Sequence, residues 1–171
     1  MKLVVRELNQ GDEKAFFAGL KEWEGESLHW HSFIWKPGMT YQEMLVILAR
    51  QAAGIDLAPG RVPHTMFYGF LDQQIIGRVS VRHQLNDDLR KRGGHLGYAV
   101  AKKFRQQGYG AQLAEYGVSY CKKLGLPSIL VTCGEDNLPS RKIIERLGGT
   151  REQQYWDEDN NEMVLKYQIK F

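Results

Sequence analysis

The residues from Arg105 to Gly110, Arg-Gln-Gln-Gly-Tyr-Gly, have the make-up of a turn that can hold an anion. They follow an alternating segment, His95 to Val100. There Leu96, Tyr98 and Val100 share one face and His95, Gly97 and Ala99 the other, which is the period of a strand. After the turn, Tyr109, Leu113, Tyr116, Gly117, Tyr120, Cys121 and Leu124 recur at three- and four-residue steps, which is the period of a helix. Strand, glycine-bearing turn and helix start together aim free backbone N–H groups at one point, with the positive end of the helix dipole behind them. Phosphates bind in such places, and glycine lets a ligand approach the main chain closely. The Walker loop is absent, because no Gly-Lys-Ser/Thr follows. The Rossmann fingerprint is absent too, with only two glycines and no strand-end acid at the right distance.

Two further sets of residues invite a chemical reading. His29 and His31 have the spacing of a metal pair, but no third ligand stands at useful spacing, so no metal is expected. With Trp30 and Trp35 they read instead as aromatic packing over a cleft. Cys133 follows an apolar run and reads as a small buried filler rather than a nucleophile.

The elements that must position these residues run in order along the chain. Leu3 to Leu8 reads as a strand, and Asp12 as the cap of a helix whose Phe16, Phe17, Leu20 and Trp23 share a face. Thr40 and Glu43 form a capping box for a second helix, which carries Met44, Leu45 and Leu48 inward and ends near Gly54. From Thr65 a hairpin follows, turning at Asp72-Gln73, and Gln84 to Gly94 reads as a polar loop. The long helix after Gly110 stops at Gly125-Leu126-Pro127. Ser128 to Thr132 is a near-continuous apolar run, read as a strand buried on both faces and parallel to its neighbour. Leu138 to Leu147 is a short helix with Ile143, Ile144 and Leu147 inward, and two strands joined by a polar turn complete the chain. The order is β-α-α-β-β-β-α-β-α-β-β, an α/β class with a mixed central sheet.

The chain has 171 residues, a length that one domain with its own core accounts for. The formal net charge of +3 suits an anionic cofactor, while no concentrated basic face argues for nucleic acid. No secretory signal is legible in the opening residues, and no apolar run approaches the roughly 20 residues that span a bilayer. Cys121 and Cys133 lack metal spacing, which suggests free thiols in a reducing cytoplasm.

Arg105 to Gly110 also fits the R/Q-x-x-G-x-G/A signature of the GNAT N-acetyltransferases, with the strand before it and the helix after it as in that family. The element order resembles the GNAT fold over nearly the whole chain, and Asn137-x-x-Ser140 stands where a second family signature stands. Three further strings resemble a bacterial subgroup known as acetyltransferases by family alone: Arg82-His83-x-Leu85-Asn86, Gly93-Gly94-His95-x-Gly97-Tyr98, and Thr132-Cys133 through Asn137 to Ser140.

This resemblance implies a single GNAT-like domain over residues 1–171, with a splayed central strand pair. It implies acetyl-CoA (coenzyme A) as cofactor and direct acetyl transfer to an amine of a small molecule or a protein. It puts the pantetheine arm along Tyr98, Ala99 and Val100, the pyrophosphate on Arg105, Gln106, Gln107, Gly108, Tyr109 and Gly110, and Asn137 and Ser140 beside the arm. Relatives often use a Glu, a His or a water chain as base. Gly94 stands where some carry the Glu, which leaves His83 and His95, each with a structural histidine as its alternative reading. The tyrosine that protonates the leaving thiolate in many relatives is replaced by Ile144, and Lys102 stands where many have proline. The loop with His29, Trp30, His31 and Trp35 falls at the acceptor pocket. Neither nucleic acid nor membrane is expected as a partner, and a homodimer is left open. The alternative to an enzyme is a non-catalytic acyl-CoA-binding sensor or interaction domain.

Overall fold

Local signals set most of the element boundaries. The computed structural model describes residues 2–171. Its strands are β1 (Val4–Arg6), β2 (His64–Leu71), β3 (Gln74–Arg82), β4 (Leu96–Val100), β5 (Ser128–Gly134), β6 (Thr150–Asp157) and β7 (Glu162–Lys170). Its α-helices are α1 (Glu13–Leu20), α2 (Tyr41–Ala53), α3 (Asp87–Lys91), α4 (Tyr109–Lys123) and α5 (Leu138–Arg146). The capping box at α2 is formed as expected, with Glu43 N–H donating to Thr40 Oγ1 at 3.2 Å and Thr40 N–H to the Glu43 carboxylate at 2.8 Å. Gly54, at φ 71°, ends that helix in the left-handed region.

Three readings need correcting. Asp12 makes no side-chain cap for α1. Its carboxylate instead accepts from the Arg6 guanidinium at 2.6 and 2.7 Å and from Asn9 N–H, so an ion pair outcompetes the cap. The loop Gln84–Gly94 contains α3, because Asn86 Oδ1 accepts from Leu89 N–H at 2.9 Å and starts one helical turn. Finally, β5 pairs antiparallel with β7 along its whole length and is not fully buried on both faces.

Two antiparallel sheets result, in the orders β1-β2-β3-β4 and β5-β7-β6. One core runs through both: Val79, Val81 and Leu96 from the first sheet meet Ile129, Val131, Leu165 and Tyr167 from the second, with Leu113, Val118 and Ile144 of α4 and α5 between them. On the other face of β2 and β3, Phe16, Tyr41 and Met44 from α1 and α2 pack on Met66, Tyr68, Phe70 and Ile75. Gly117 seats α4 tightly, since a Cβ there would lie 2.3 Å from Leu96 Cδ1 and 2.9 Å from Val79 Cγ2. No helix among the described residues is long and apolar enough to cross a membrane.

Candidate active site

Between the two sheets, β4 turns an unpaired edge toward β5. Ladder bonds from Arg82 N–H to His95 O (2.8 Å) and from Ala101 N–H to Ile76 O (2.9 Å) bracket β4. Antiparallel pairing alternates. With those two pairs bonded, Gly97 and Ala99 also face β3, while Leu96, Tyr98 and Val100 direct their N–H and C=O groups the other way. Of the three residues expected along a cofactor arm, Tyr98 therefore offers both main-chain groups and Val100 its N–H, the Val100 carbonyl being taken by Arg105, while Ala99 spends its own on Arg78.

The neck of this gap is closed by His95. Its N–H donates to Leu130 O at 2.8 Å, and its Nδ1 accepts from Leu130 N–H at 3.0 Å, so one residue holds both main-chain groups of one β5 position. Gly94 must be glycine there: its φ is +59°, and a Cβ would fall 2.3 Å from Leu130 O. The bond places the His95 ring proton on Nε2. Burial, followed by the charges of Arg90 and Arg82, keeps the pKa of His95 below its ordinary value.

At the far end of β4 the chain makes the expected turn. Gln106 and Gly108 have φ of 62° and 83°, and α4 begins at Tyr109 with no side chain capping it, so its first N–H groups face outward. Nothing lies within 4 Å of where a Gly108 Cβ would be, whereas one on Gly110 would come 3.3 Å from Ile143 Cδ1. Gly108 thus shapes the open turn, and Gly110 lets α5 approach α4. The Arg105 side chain is committed elsewhere: Nε donates to Val100 O at 2.8 Å and Nη2 to Glu26 at 2.6 Å. Gln107 donates to Lys103 O. Asn137 caps α5, accepting from Ser140 N–H at 3.2 Å, and both residues line the gap.

The gap opens into a cleft of about 460 Å³. Its ionisable lining is His29, Arg78, Arg82, Arg92, Tyr98, Cys133 and Glu162. Arg92 donates to Asp157 at 2.6 Å and to Glu162, so its positive charge is compensated locally. Burial pushes the Tyr98 phenol up to about 12 and the Cys133 thiol up to about 11, so both stay protonated at neutral pH. His29 is held below its ordinary pKa by burial and by the nearby charges of Arg78 and Arg61, which leaves its imidazole neutral. Ile144, 1% exposed, forms part of the cleft floor.

Neither His83 nor His95, the bases expected from the sequence, lines the cleft. His83 extends the α4-facing row of β3, and its Nε2 lies 2.9 Å from Thr65 Oγ1, beside Tyr120. His31 is 1% exposed; its Nδ1 accepts from Trp23 Nε1–H at 3.1 Å, so its Nε2 donates to Phe16 O at 3.2 Å. Sequence reasoning did not single out Arg78, Arg82, Arg92 or Glu162. Arg78, Ser80 and Arg82 alternate with the apolar residues of β3, and that pattern was the available signal.

Comparison with known proteins agrees with this architecture. The family model for the acetyltransferase (GNAT) domain matches residues 2–150. An acetyltransferase of the GNAT family from Streptococcus pneumoniae superposes with a TM-score of 0.65 at 16% identity, covering 99% of each chain. The structure of yncA from Salmonella typhimurium with its cofactor acetyl-CoA gives 0.64 at 13% identity, over 98% of this chain and 93% of that one. RimL, a ribosomal L7/L12 alpha-N-protein acetyltransferase in complex with coenzyme A, gives 0.67 at 17% identity, over 100% and 95%. No curated protein matches the chain by sequence. With its family match spanning most of the length and the same fold throughout, the chain belongs to the GNAT acetyltransferase family, whose cofactor is acetyl-CoA.

Proposed function

We propose that the protein is an acetyl-CoA-dependent N-acetyltransferase that moves an acetyl group directly to an amine. The observation that carries this reading is the unpaired edge of β4, which leads from the uncapped start of α4 into the cleft. Free main-chain groups in a partly buried gap are costly unless a ligand meets them. An extended amide-bearing arm would pair with Tyr98 and Val100, and the N–H groups from Gly108 onward would receive phosphates. These residues fit coenzyme A.

Bound acetyl-CoA supplies an activated acetyl thioester. The chain must accept a proton from the amine and return one to the leaving thiolate. An alkylamine has a reference pKa of roughly 10.4, so at neutral pH it arrives mostly protonated. The neutral imidazole of His29 lines the cleft and can take that proton. The Tyr98 phenol, kept protonated by burial, can supply one to the thiolate in place of the tyrosine that Ile144 replaces. With its pKa raised, Cys133 is a poor nucleophile, which favours direct transfer over an acyl-enzyme. His83 and His95, the bases first expected, would act only if the cleft rearranged around them.

Release of free coenzyme A from acetyl-CoA, measured across amines with the product identified by mass spectrometry, tests the reading. Amine-dependent release with an N-acetyl product supports it. Binding of acetyl-CoA with no turnover on any amine would leave the sensor alternative.

A further inference from the structure

Resting on that reading, we propose that the acceptor is an amine carrying a carboxylate, and that Arg78, with Ser80 and Arg82 beside it, receives the carboxylate. The side chains of Arg78, Ser80 and Arg82 lie at every second position of β3, on the face opposite α4. Arg78 is 1% exposed and lines the cleft. Its Nε donates to Trp30 O at 2.7 Å and its Nη2 sits 3.4 Å from His29 O, while the Phe33 ring covers the guanidinium carbon at 3.7 Å. Its Nη1 has no partner at all.

A buried arginine ordinarily lies against a carboxylate, because an uncompensated charge away from water is expensive. Among the described residues every ion pair lies elsewhere: Arg6–Asp12, Arg50–Asp56, Arg92 with Asp157 and Glu162, Lys103–Glu22 and Arg105–Glu26. Arg82 has no carboxylate either, since its Nη1 reaches only the carbonyls of Gly93 and Gly94, both at 3.1 Å. Two cations therefore stand on one strand face without an anion between them. The neutral group between them is also unsatisfied: Ser80 Oγ is buried without a hydrogen bond. A charged fork and a hydroxyl donor, both short of an acceptor, match one small bidentate anion.

Position limits what that anion belongs to. Arg78 pairs across the sheet with Ala99, which lies between Tyr98 and Val100 on the strand that would carry the thioester arm. A carboxylate held at Arg78 thus keeps its molecule on the acceptor side of β4, opposite α4 and the phosphate turn. The carbonyls of His29 and Trp30 occupy part of the guanidinium, so the loop from Leu28 to Phe33 must yield as the acceptor enters. Arg92 is excluded from this role because Asp157 and Glu162 already neutralise it.

The test uses the full chain, saturating acetyl-CoA, and matched acceptors: amino acids and short peptides with free α-amines, their carboxamides, and the corresponding decarboxylated amines. We expect kcat/KM for a carboxylate acceptor to exceed that of its carboxamide by at least about 100-fold, because the amide leaves the buried cation unpaired. In Arg78→Met the preference should collapse while acetyl-CoA affinity stays within a few-fold. If that variant does not fold, Ser80→Ala and Arg82→Gln should each reduce the preference in a folded protein. Turnover on amines with equal rates for acid and amide would overturn the inference and leave the acetyltransferase reading standing. So would an Arg78→Met protein that keeps the wild-type preference. Acetyl-CoA binding without turnover on any acceptor would overturn both.

Discussion

At position 144 the side chain is pure hydrocarbon and has no proton to give. Ile144 is buried among the α4, α5 and β7 core, and Gly149 is pressed against it, with a Cβ there falling 2.6 Å from Ile144 Cγ2. Ile144→Tyr should therefore lower stability by about 1–3 kcal/mol through overpacking. Melting temperature and turnover measured together check this: a stable but inactive variant would mean that Ile144 shapes the acyl site. The complementary change, Tyr98→Phe, removes the one phenol lining the cleft among the described residues. It should slow turnover while acetyl-CoA affinity holds within a few-fold, and unchanged kcat would exclude Tyr98 as the proton source. The missing tyrosine was legible because a motif position can be counted. The role proposed for Tyr98 was not, because no spacing reveals that a strand side chain reaches α5 across a gap, where its hydroxyl lies 3.5 Å from Ser140 O. The histidines separate in the same way. His95→Ala strands the Leu130 N–H and should cost about 1–3 kcal/mol, read from denaturant melts. His83→Ala should leave turnover within a few-fold.

Among the elements, the loop between α1 and α2 is held by a buried polar chain that runs from Trp23 through His31 to the carbonyl of Phe16. Burial drives the His31 pKa down to about 4, against about 6.5 when the chain is unfolded. Between those values the unfolded chain binds the extra proton, so stability is full above about pH 6.5 and declines as pH falls toward 4. The expected loss is about 2–3 kcal/mol. Urea melts across that range check it, and His31→Gln should flatten the slope. A slope that survives in the variant would assign it to other groups. At α4, Gly117→Val should destabilise by several kcal/mol, because the new side chain would meet Leu96 and Val79 below contact distance. Element types and most boundaries could be read from the sequence where a local chemical cause fixed them, as at Thr40, Glu43 and Gly54. They were misread where a distant partner intervened, as when Arg6 drew Asp12 away from its cap.

For the whole molecule, a ligand that joins the two sheets should stabilise the fold in proportion to its occupancy. At 100 times its dissociation constant, acetyl-CoA should add roughly 2.7 kcal/mol, seen as a raised melting temperature. No shift at millimolar ligand would remove the cofactor assignment. Periodicity sufficed to place most strands and helices and the glycine turn before α4, since these depend on neighbours in sequence, but not the antiparallel pairing of β5 with β7, which depends on a distant strand. The cation-lined side of the cleft is assembled from β3 and the loop that carries Arg92, and nothing local marks which charges will lack partners.

The open edge of β4 also has a signature in time. Amide hydrogens bonded in a ladder exchange with solvent slowly, and those facing a gap exchange quickly even inside a well-formed strand. In the free protein Gly97 and Ala99 should be protected while Tyr98 and Val100 lose their protons rapidly, a slow-fast alternation within five consecutive residues of β4. Acetyl-CoA should abolish that alternation and leave the strand uniformly slow. Residue-resolved deuterium exchange by NMR, with and without the cofactor, would record it, and equal rates at the four amides of the free protein would mean that the edge is not open.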